Sequence, residues 1–252
     1  MMIDYGLQGK VAMVTGAGGG IGRASALAFA RSGAKVLVSD VSDSNGEETV
    51  ALIRDMGGVA AYQRCDVSDG TQVKAMVAAA VDQFGRLDCA FNNAGINSVT
   101  LDEYDDAVWD RAISVNLKGV MLCMREAAAV MVKQGSGAIV NTASINGIVG
   151  NPGQPAYTAA KHGVVGLTRH AALRWAKAGI RVNAVCPGVI DTPMSAQAAA
   201  DPQIRAMIES MTPMGRMGRA EEIAEAAVWL CSDAASFITG HPLLVDGGVT
   251  AF

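Results

Sequence analysis

The chain has 252 residues, half of them hydrophobic and only 17% charged, and carries a formal net charge of −4. That length suits one substantial α/β core, and the mildly acidic balance supplies no basic field for nucleic acid. Its apolar stretches are broken by Gly, Arg, Asp or Lys before they reach membrane-spanning length, and the opening MMIDYGLQGK lacks the cationic and apolar parts of a signal peptide.

Lys10–Thr15, KVAMVT, is a short apolar run of the kind buried in a parallel sheet. It leads into TGAGGGIG, Thr15–Gly22, and then into an alanine-rich stretch with helical apolar spacing to about Ser32. Glycines at such a junction let the backbone turn sharply and approach a ligand that a Cβ would exclude. The free N–H groups of the helix's first turn then favour an anion such as a pyrophosphate. Gly16, Gly20 and Gly22 give G-x-x-x-G-x-G rather than G-x-G-x-x-G, yet the strand–turn–helix setting of a dinucleotide site is present.

A second strand, Lys35–Ser39, ends at Asp40. An acidic residue at that place in a dinucleotide fold accepts hydrogen bonds from the adenosine ribose and repels a 2′-phosphate, which favours NAD over NADP. Val41, Ser42 and Asp43 follow with no basic residue; Arg23 is the nearest cation that could soften the preference.

Further strands are expected at Val59–Arg64, Leu87–Phe91, Ala138–Thr142, Ile180–Val185 and Leu243–Val245, with helical patterns between them. The longest helices are expected at about Asp106–Lys133 and Ala156–Ala178, with Trp109, Trp175 and Trp229 serving packing. On the second of these, Tyr157 and Lys161 stand at i and i+4 and share a helix face. An ammonium beside a phenol favours the phenolate and can draw its pKa from about 10 towards neutrality, which makes a general acid/base. A drop of roughly three units needs about 4 kcal/mol, a plausible demand on a lysine plus a cofactor's positive ring. The alternative is a surface helix pair worth little.

Met194–Met214 is the least regular stretch, rich in Ala and Met and punctuated by Pro193, Pro202 and Pro213, and it is read as a substrate lid spanning about 193–214. Around Ala224–Leu230 a helix presents an apolar face that core packing explains as well as subunit contact does. The alternation of strands and helices implies right-handed crossovers and one α/β domain over residues 1–252, a doubly wound parallel sheet with helices on both faces. A cofactor would lie across the carboxyl ends of its strands. Cysteines at 65, 89, 123, 186 and 231, an odd number without C-x-x-C, read as reduced thiols in a cytoplasmic setting. His162, His170 and His241 are too few and scattered for zinc, and no metal is expected.

TGAGGGIG, Asn92-Asn93-Ala94-Gly95 and Tyr157-Thr158-Ala159-Ala160-Lys161 together resemble the short-chain dehydrogenase/reductases, in the NAD-preferring, single-domain branch of about this length. The resemblance covers essentially the whole chain and implies a seven-stranded Rossmann-type sheet of order 3-2-1-4-5-6-7. It implies catalytic roles for Asn116, Ser144, Tyr157 and Lys161: Tyr157 handling the alcohol proton, Ser144 holding the substrate oxygen, Lys161 lowering the Tyr157 pKa and binding the nicotinamide ribose, and Asn116 anchoring a water that leads to Lys161. For cofactor binding it implies Gly16, Gly19, Gly20, Ile21 and Gly22, Asp40 and Val41, Asp66 and Val67 at adenine, Asn93, Ala94 and Gly95. Pro187, Gly188, Ile190 and Thr192 match the segment that closes over the nicotinamide. Asn92 is expected to stabilise the central strands through backbone bonds. Ile145, Asn146, Gln154, Met194 and Met207 are candidates for the substrate pocket.

The implied activity is NAD-dependent interconversion of a secondary alcohol, a cyclic alcohol or diol among them, with its ketone. The alternative is a 3-oxoacyl carrier-protein reductase or another NADPH-dependent ketoreductase, which Asp40 disfavours; a non-catalytic nucleotide-binding scaffold would have no use for the Ser144–Tyr157–Lys161 set. The family also implies a homotetramer. Fold alone does not fix the compound transformed.

Overall fold

A computed structural model describes residues 5–98 and 102–251, apart from the side chains at 197 and 198. The one-domain reading over 1–252 and the opening MMID therefore extend beyond the described residues. In chain order the elements are β1 (Val11–Thr15), α1 (Gly20–Arg31), β2 (Lys35–Asp40), α2 (Asp43–Asp55), β3 (Ala60–Arg64), α3 (Gly70–Phe84), β4 (Cys89–Asn92), α4 (Asp106–Ile113), α5 (Val120–Gln134), β5 (Gly137–Thr142) and α6 (Pro155–Trp175). They continue with β6 (Ile180–Pro187), β7 (Ile190–Asp191), α7 (Ala196–Ala199), α8 (Pro202–Met211), β8 (Gly218–Arg219), α9 (Ala220–Cys231) and β9 (Pro242–Val245).

Seven strands form a parallel sheet in the order β3-β2-β1-β4-β5-β6-β9, while β7 and β8 make a separate short pair. This is the order the family resemblance implies, with β9 in the seventh place. Side chains alternate across the sheet, as strand geometry requires. Met13, Leu37, Ala90, Ile139 and Val182 enter a core with residues of α3, α5 and α6. Val14, Val36, Phe91, Val140 and Val185 enter the opposite core with residues of α1, α2 and α9. A strand buried on both faces has no polar side, which is why β1 is an unbroken apolar run.

The long helix expected over Asp106–Lys133 is α4 and α5 joined by a π-helical turn, Ser114–Gly119, that contains Asn116. The segment 193–214 is more regular than expected: α8 begins at Pro202, and Asp201 caps it by accepting from Gln203 N at 2.8 Å. Its proline is a helix start rather than a break, and α8 buries none of its residues. Trp175 packs against the α3–α5–α6 core and Trp229 against the opposite one, whereas Trp109 is exposed. All five cysteines are buried and free. Among the described residues no helix is long and apolar enough to cross a membrane, and no group of three or more potential metal ligands gathers.

Candidate active site

The glycine turn between β1 and α1 is held by the loop after β4. Thr15 Oγ1 accepts from the N–H groups of Asn93 at 3.0 Å and Ala94 at 3.1 Å, and Asn93 Nδ2 donates to Thr15 O at 3.1 Å. Gly16 has φ +62°, and a Cβ there would lie 2.8 Å from Ala94 Cα. A Cβ on Gly22 would collide with the Gly16 carbonyl, so the first turn of α1 folds back directly on the loop. Gly19 gives α1 no side-chain cap and the first turn holds no acidic residue, in contrast to α3 and α8, which Asp69 and Asp201 cap. The residues present thus fit a dinucleotide's pyrophosphate: close backbone, and a first turn of α1 with no side-chain cap and no acidic residue of its own.

Asp40, at the end of β2, turns its carboxylate onto this loop, accepting from Gly18 N at 2.8 Å and Ser42 N at 2.9 Å. Val41 beside it is exposed. Arg23 is committed elsewhere: it donates to Thr49 Oγ1 at 3.0 Å and Gly18 O at 2.6 Å, and pairs with Glu48. Asp66 accepts from the Ser68 hydroxyl at 2.6 Å and its N–H at 2.9 Å, and the hydroxyl's bond leads the effects that hold its carboxyl below the usual range. Val67 is buried, with Gly119 packed against it.

On α6, Lys161 Nζ lies 5.3 Å from the centre of the Tyr157 ring. Lys161 is 2% exposed, and its ammonium donates to Thr142 O at 2.7 Å, at the end of β5. Burial draws Lys161 down to about 8 and pushes the Tyr157 phenol up to about 12, with the Ser144 hydroxyl bond opposing that rise. The protein by itself therefore departs from the expectation that Lys161 lowers the tyrosine. Both groups leave water together, which disfavours both charged forms, and the lysine's hydrogen bond goes to a carbonyl instead of the phenol. Ser144 is buried and does two things at once: its Oγ accepts from Asn146 N at 3.1 Å, capping the turn Ile145–Gly147, and it faces Tyr157.

Asn116 is fully buried, and both ends of its amide bind Ile96: Oδ1 accepts from Ile96 N at 2.9 Å and Nδ2 donates to Ile96 O at 3.0 Å. A Cβ on Gly95 would lie 2.9 Å from Asn116 Oδ1 and 3.8 Å from Lys161 Nζ, so this loop sits between the π-helical turn and the lysine. Asn92 closes β4 in register with Asn141 of β5, and its side chain adds a second link between the strands, donating from Nδ2 to Asn141 Oδ1 at 2.8 Å. At the far side, Gly188 N donates to Val245 O at 3.1 Å, Ile190 is buried, and Thr192 lies directly against Gly20. The segment after Pro187 thus begins on the glycine turn.

Of the substrate candidates, Ile145 is partly buried, and Asn146 Nδ2 donates to Gln154 Oε1 at 3.1 Å. Met194 and Met207 are 50% and 55% exposed. Neither lines the cavity of about 320 Å³ bordered by Gly188, Ile190, Thr212, Met214 and Asp246, nor that of about 350 Å³ bordered by Ile96, Asn97, Ser98 and Arg111. Both ride on segments that bury little, and Met214 faces the first cavity. Asn97 was missed. Its Oδ1 accepts from Gln154 Nε2 at 3.1 Å, and the signal in the sequence was a polar side chain two positions beyond Gly95, easily taken for loop.

A family profile described as enoyl-(acyl carrier protein) reductase matches residues 16–250. The chain is 47% identical over 249 residues to 2,5-dichloro-2,5-cyclohexadiene-1,4-diol dehydrogenase of Sphingobium indicum, covering 97% of this chain and 98% of that protein. It is 47% identical over 244 residues to cis-4-hydroxycyclohexanecarboxylate dehydrogenase of Sinomonas cyclohexanicum, covering 96% and 97%. A solved structure from Beutenbergia cavernae, named for an NAD(P)-dependent gluconate 5-dehydrogenase and carrying NADP at low occupancy, aligns with TM-score 0.94 at 38% identity over 99% of this chain and 100% of that one.

Proposed function

Because the chain belongs to the short-chain dehydrogenase/reductase family, we propose that it oxidises a cyclic secondary alcohol carrying a second oxygen function across the ring, with NAD⁺ as acceptor. It is an oxidoreductase of CH–OH groups; the cyclic substrate follows from what the two relatives are named for. The observation that carries the reading is the gathering of Ser144, Tyr157 and Lys161 at the carboxyl end of β5, beside a glycine turn shaped for a dinucleotide.

When bound, the nicotinamide cofactor supplies the acceptor for the hydride leaving the carbinol carbon. Tyr157, as phenolate, takes the hydroxyl proton, and its phenol returns one in reduction. Ser144, whose lone pair serves Asn146 N, would turn its hydroxyl proton from Tyr157 to the substrate oxygen. Lys161, fixed by Thr142 O and 5.3 Å from the centre of the Tyr157 ring, holds a positive charge beside the tyrosine and would bind the nicotinamide ribose. Asn116 shapes the loop at Ile96 that backs Lys161, and its backbone carbonyl would anchor a water through which the proton leaves.

NAD is favoured over NADP by Asp40, whose carboxylate faces the glycine turn, and by Arg23, whose charge Glu48 already neutralises. The same two features weigh against a 3-oxoacyl carrier-protein reductase or other NADPH-dependent ketoreductase. Wild-type enzyme is expected to use NAD⁺ well ahead of NADP⁺, and Asp40→Ala to narrow the ratio of their kcat/KM values by roughly 10–100-fold, the worth of a charged hydrogen bond. An unchanged ratio removes Asp40 from cofactor selection.

The segment 193–214 acts as the lid: it starts against Gly20, and α8 is free to move because it buries no residue. The five free, buried thiols suit a reducing cytoplasm. The enzyme works as a homotetramer, which gives Leu173 and Phe237, 86% and 104% exposed, apolar surface to bury against. Light scattering that returns a monomer mass rejects the tetramer.

A further inference from the structure

We infer that Asn97, Gln154 and Asn146 form an amide relay that binds a neutral oxygen of the substrate, on the ring position opposite the carbon that reacts. The inference rests on the cyclic-alcohol reading above. The relay is continuous: Asn146 Nδ2 donates to Gln154 Oε1 at 3.1 Å, and Gln154 Nε2 donates to Asn97 Oδ1 at 3.1 Å. Two of its members, Asn146 and Gln154, lie near the reacting groups, and Asn97 is its exposed end. Asn146 N donates to Ser144 Oγ at 3.1 Å. Gln154 is the residue just before α6, three positions ahead of Tyr157. A six-membered ring whose hydroxyl meets Tyr157 and Ser144 extends its far side towards Gln154.

The bonding inventory says what the relay still offers. Gln154 Oε1 is used twice, by Asn146 and by Asn151 Nδ2 at 3.3 Å. Asn97 Oδ1 is also used twice, by Gln154 and by Ser98 N at 2.8 Å. Among the described residues no bond is made by Asn97 Nδ2, a donor, or by Asn146 Oδ1, an acceptor. A hydroxyl answers both and a carbonyl answers the donor. A carboxylate finds no charge on the three side chains themselves, and Arg111, the cation that borders the same cavity as Asn97, is already paired with Asp66 at 3.8 Å.

The test compares kcat/KM for cyclohexane-1,4-diol, 4-hydroxycyclohexanecarboxylate and cyclohexanol in wild type, Asn97→Leu and Asn97→Asp. Wild type is expected to prefer the diol to both others, and each variant to lower the diol-to-cyclohexanol ratio about tenfold, because a donor built for a substrate oxygen is lost. Asn97→Asp keeps the acceptor for Gln154, so it covers the case in which Asn97→Leu fails to fold. An unchanged ratio, or a parallel fall for diol and cyclohexanol, makes the relay merely structural and overturns the inference. Preference for the carboxylate overturns its neutral character. Wild type that turns over none of the three instead overturns the cyclic-alcohol reading, and is told apart because no variant is needed to see it.

Discussion

Tyr157→Phe lowers turnover of a secondary alcohol by about 10²–10⁴-fold, the contribution expected of a positioned general base, while NAD⁺ affinity in a fluorescence titration stays close to wild type. The split follows from the geometry. The phenol oxygen faces Ser144 and is the proposed proton acceptor, whereas the glycine turn, Asp40 and Lys161 are the residues that would hold the dinucleotide. The ring is kept in the variant, so the packing of α6 against the turn Ile145–Gly147 is undisturbed. Turnover near wild type would show that some other group moves the proton.

Lys161→Met is expected to stabilise the free protein at neutral pH while turnover collapses. The ammonium is buried, and its pKa is drawn from 10.5 to about 8 by loss of water. The sign follows from linkage: the folded value lies below the unfolded one, so the unfolded chain binds the proton more tightly. The cost to folding is full below pH about 8 and fades as pH rises to the unfolded value. The drop corresponds to about 3 kcal/mol, of which the hydrogen bond to Thr142 O recovers about 1 kcal/mol in the wild type's favour. Calorimetry should therefore show Tm for Lys161→Met several degrees above wild type at pH 7, with the gap closing towards pH 10. A lower Tm at pH 7 would mean the lysine stabilises the fold. The expected higher Tm means that the site keeps a destabilising charge because catalysis needs it, a common exchange between stability and activity.

Most of the sheet was legible because its strands are buried on both faces and so appear as apolar runs: β1, β2 and β5 fall within a residue or so of where KVAMVT, KVLVS and the run at Ala138 place them. The strand order was not in the periodicity; it came with the resemblance carried by TGAGGGIG, Asn92–Gly95 and Tyr157–Lys161. The π-helical turn at Asn116 was invisible, since an inserted residue barely disturbs apolar spacing across α4 and α5. Helix α8 was lost because its Asp201–Pro202 start signal looked like loop punctuation and no buried face marked what followed. Asn97 became visible only when folding brought it to Gln154, 57 positions away. The direction of the Tyr157 pKa is the deepest miss. Spacing showed that a cation is near, but how far both groups are withdrawn from water depends on the packing of α6 against β5 and the turn after it.

That miss defines the decisive measurement. A phenol near 12 in the free protein is no base at neutral pH, so the positive nicotinamide, added to Lys161, has to bring it down by several units. Tyrosinate absorbance, titrated with and without saturating NAD⁺ and taken as the difference between wild type and Tyr157→Phe, reads this directly. The expected result is an ionisation near 12 in the free enzyme that moves close to neutrality in the NAD⁺ complex. An ionisation that stays near 12 in that complex, while alcohol oxidation runs at full rate at pH 7, would contradict Tyr157 as the proton acceptor.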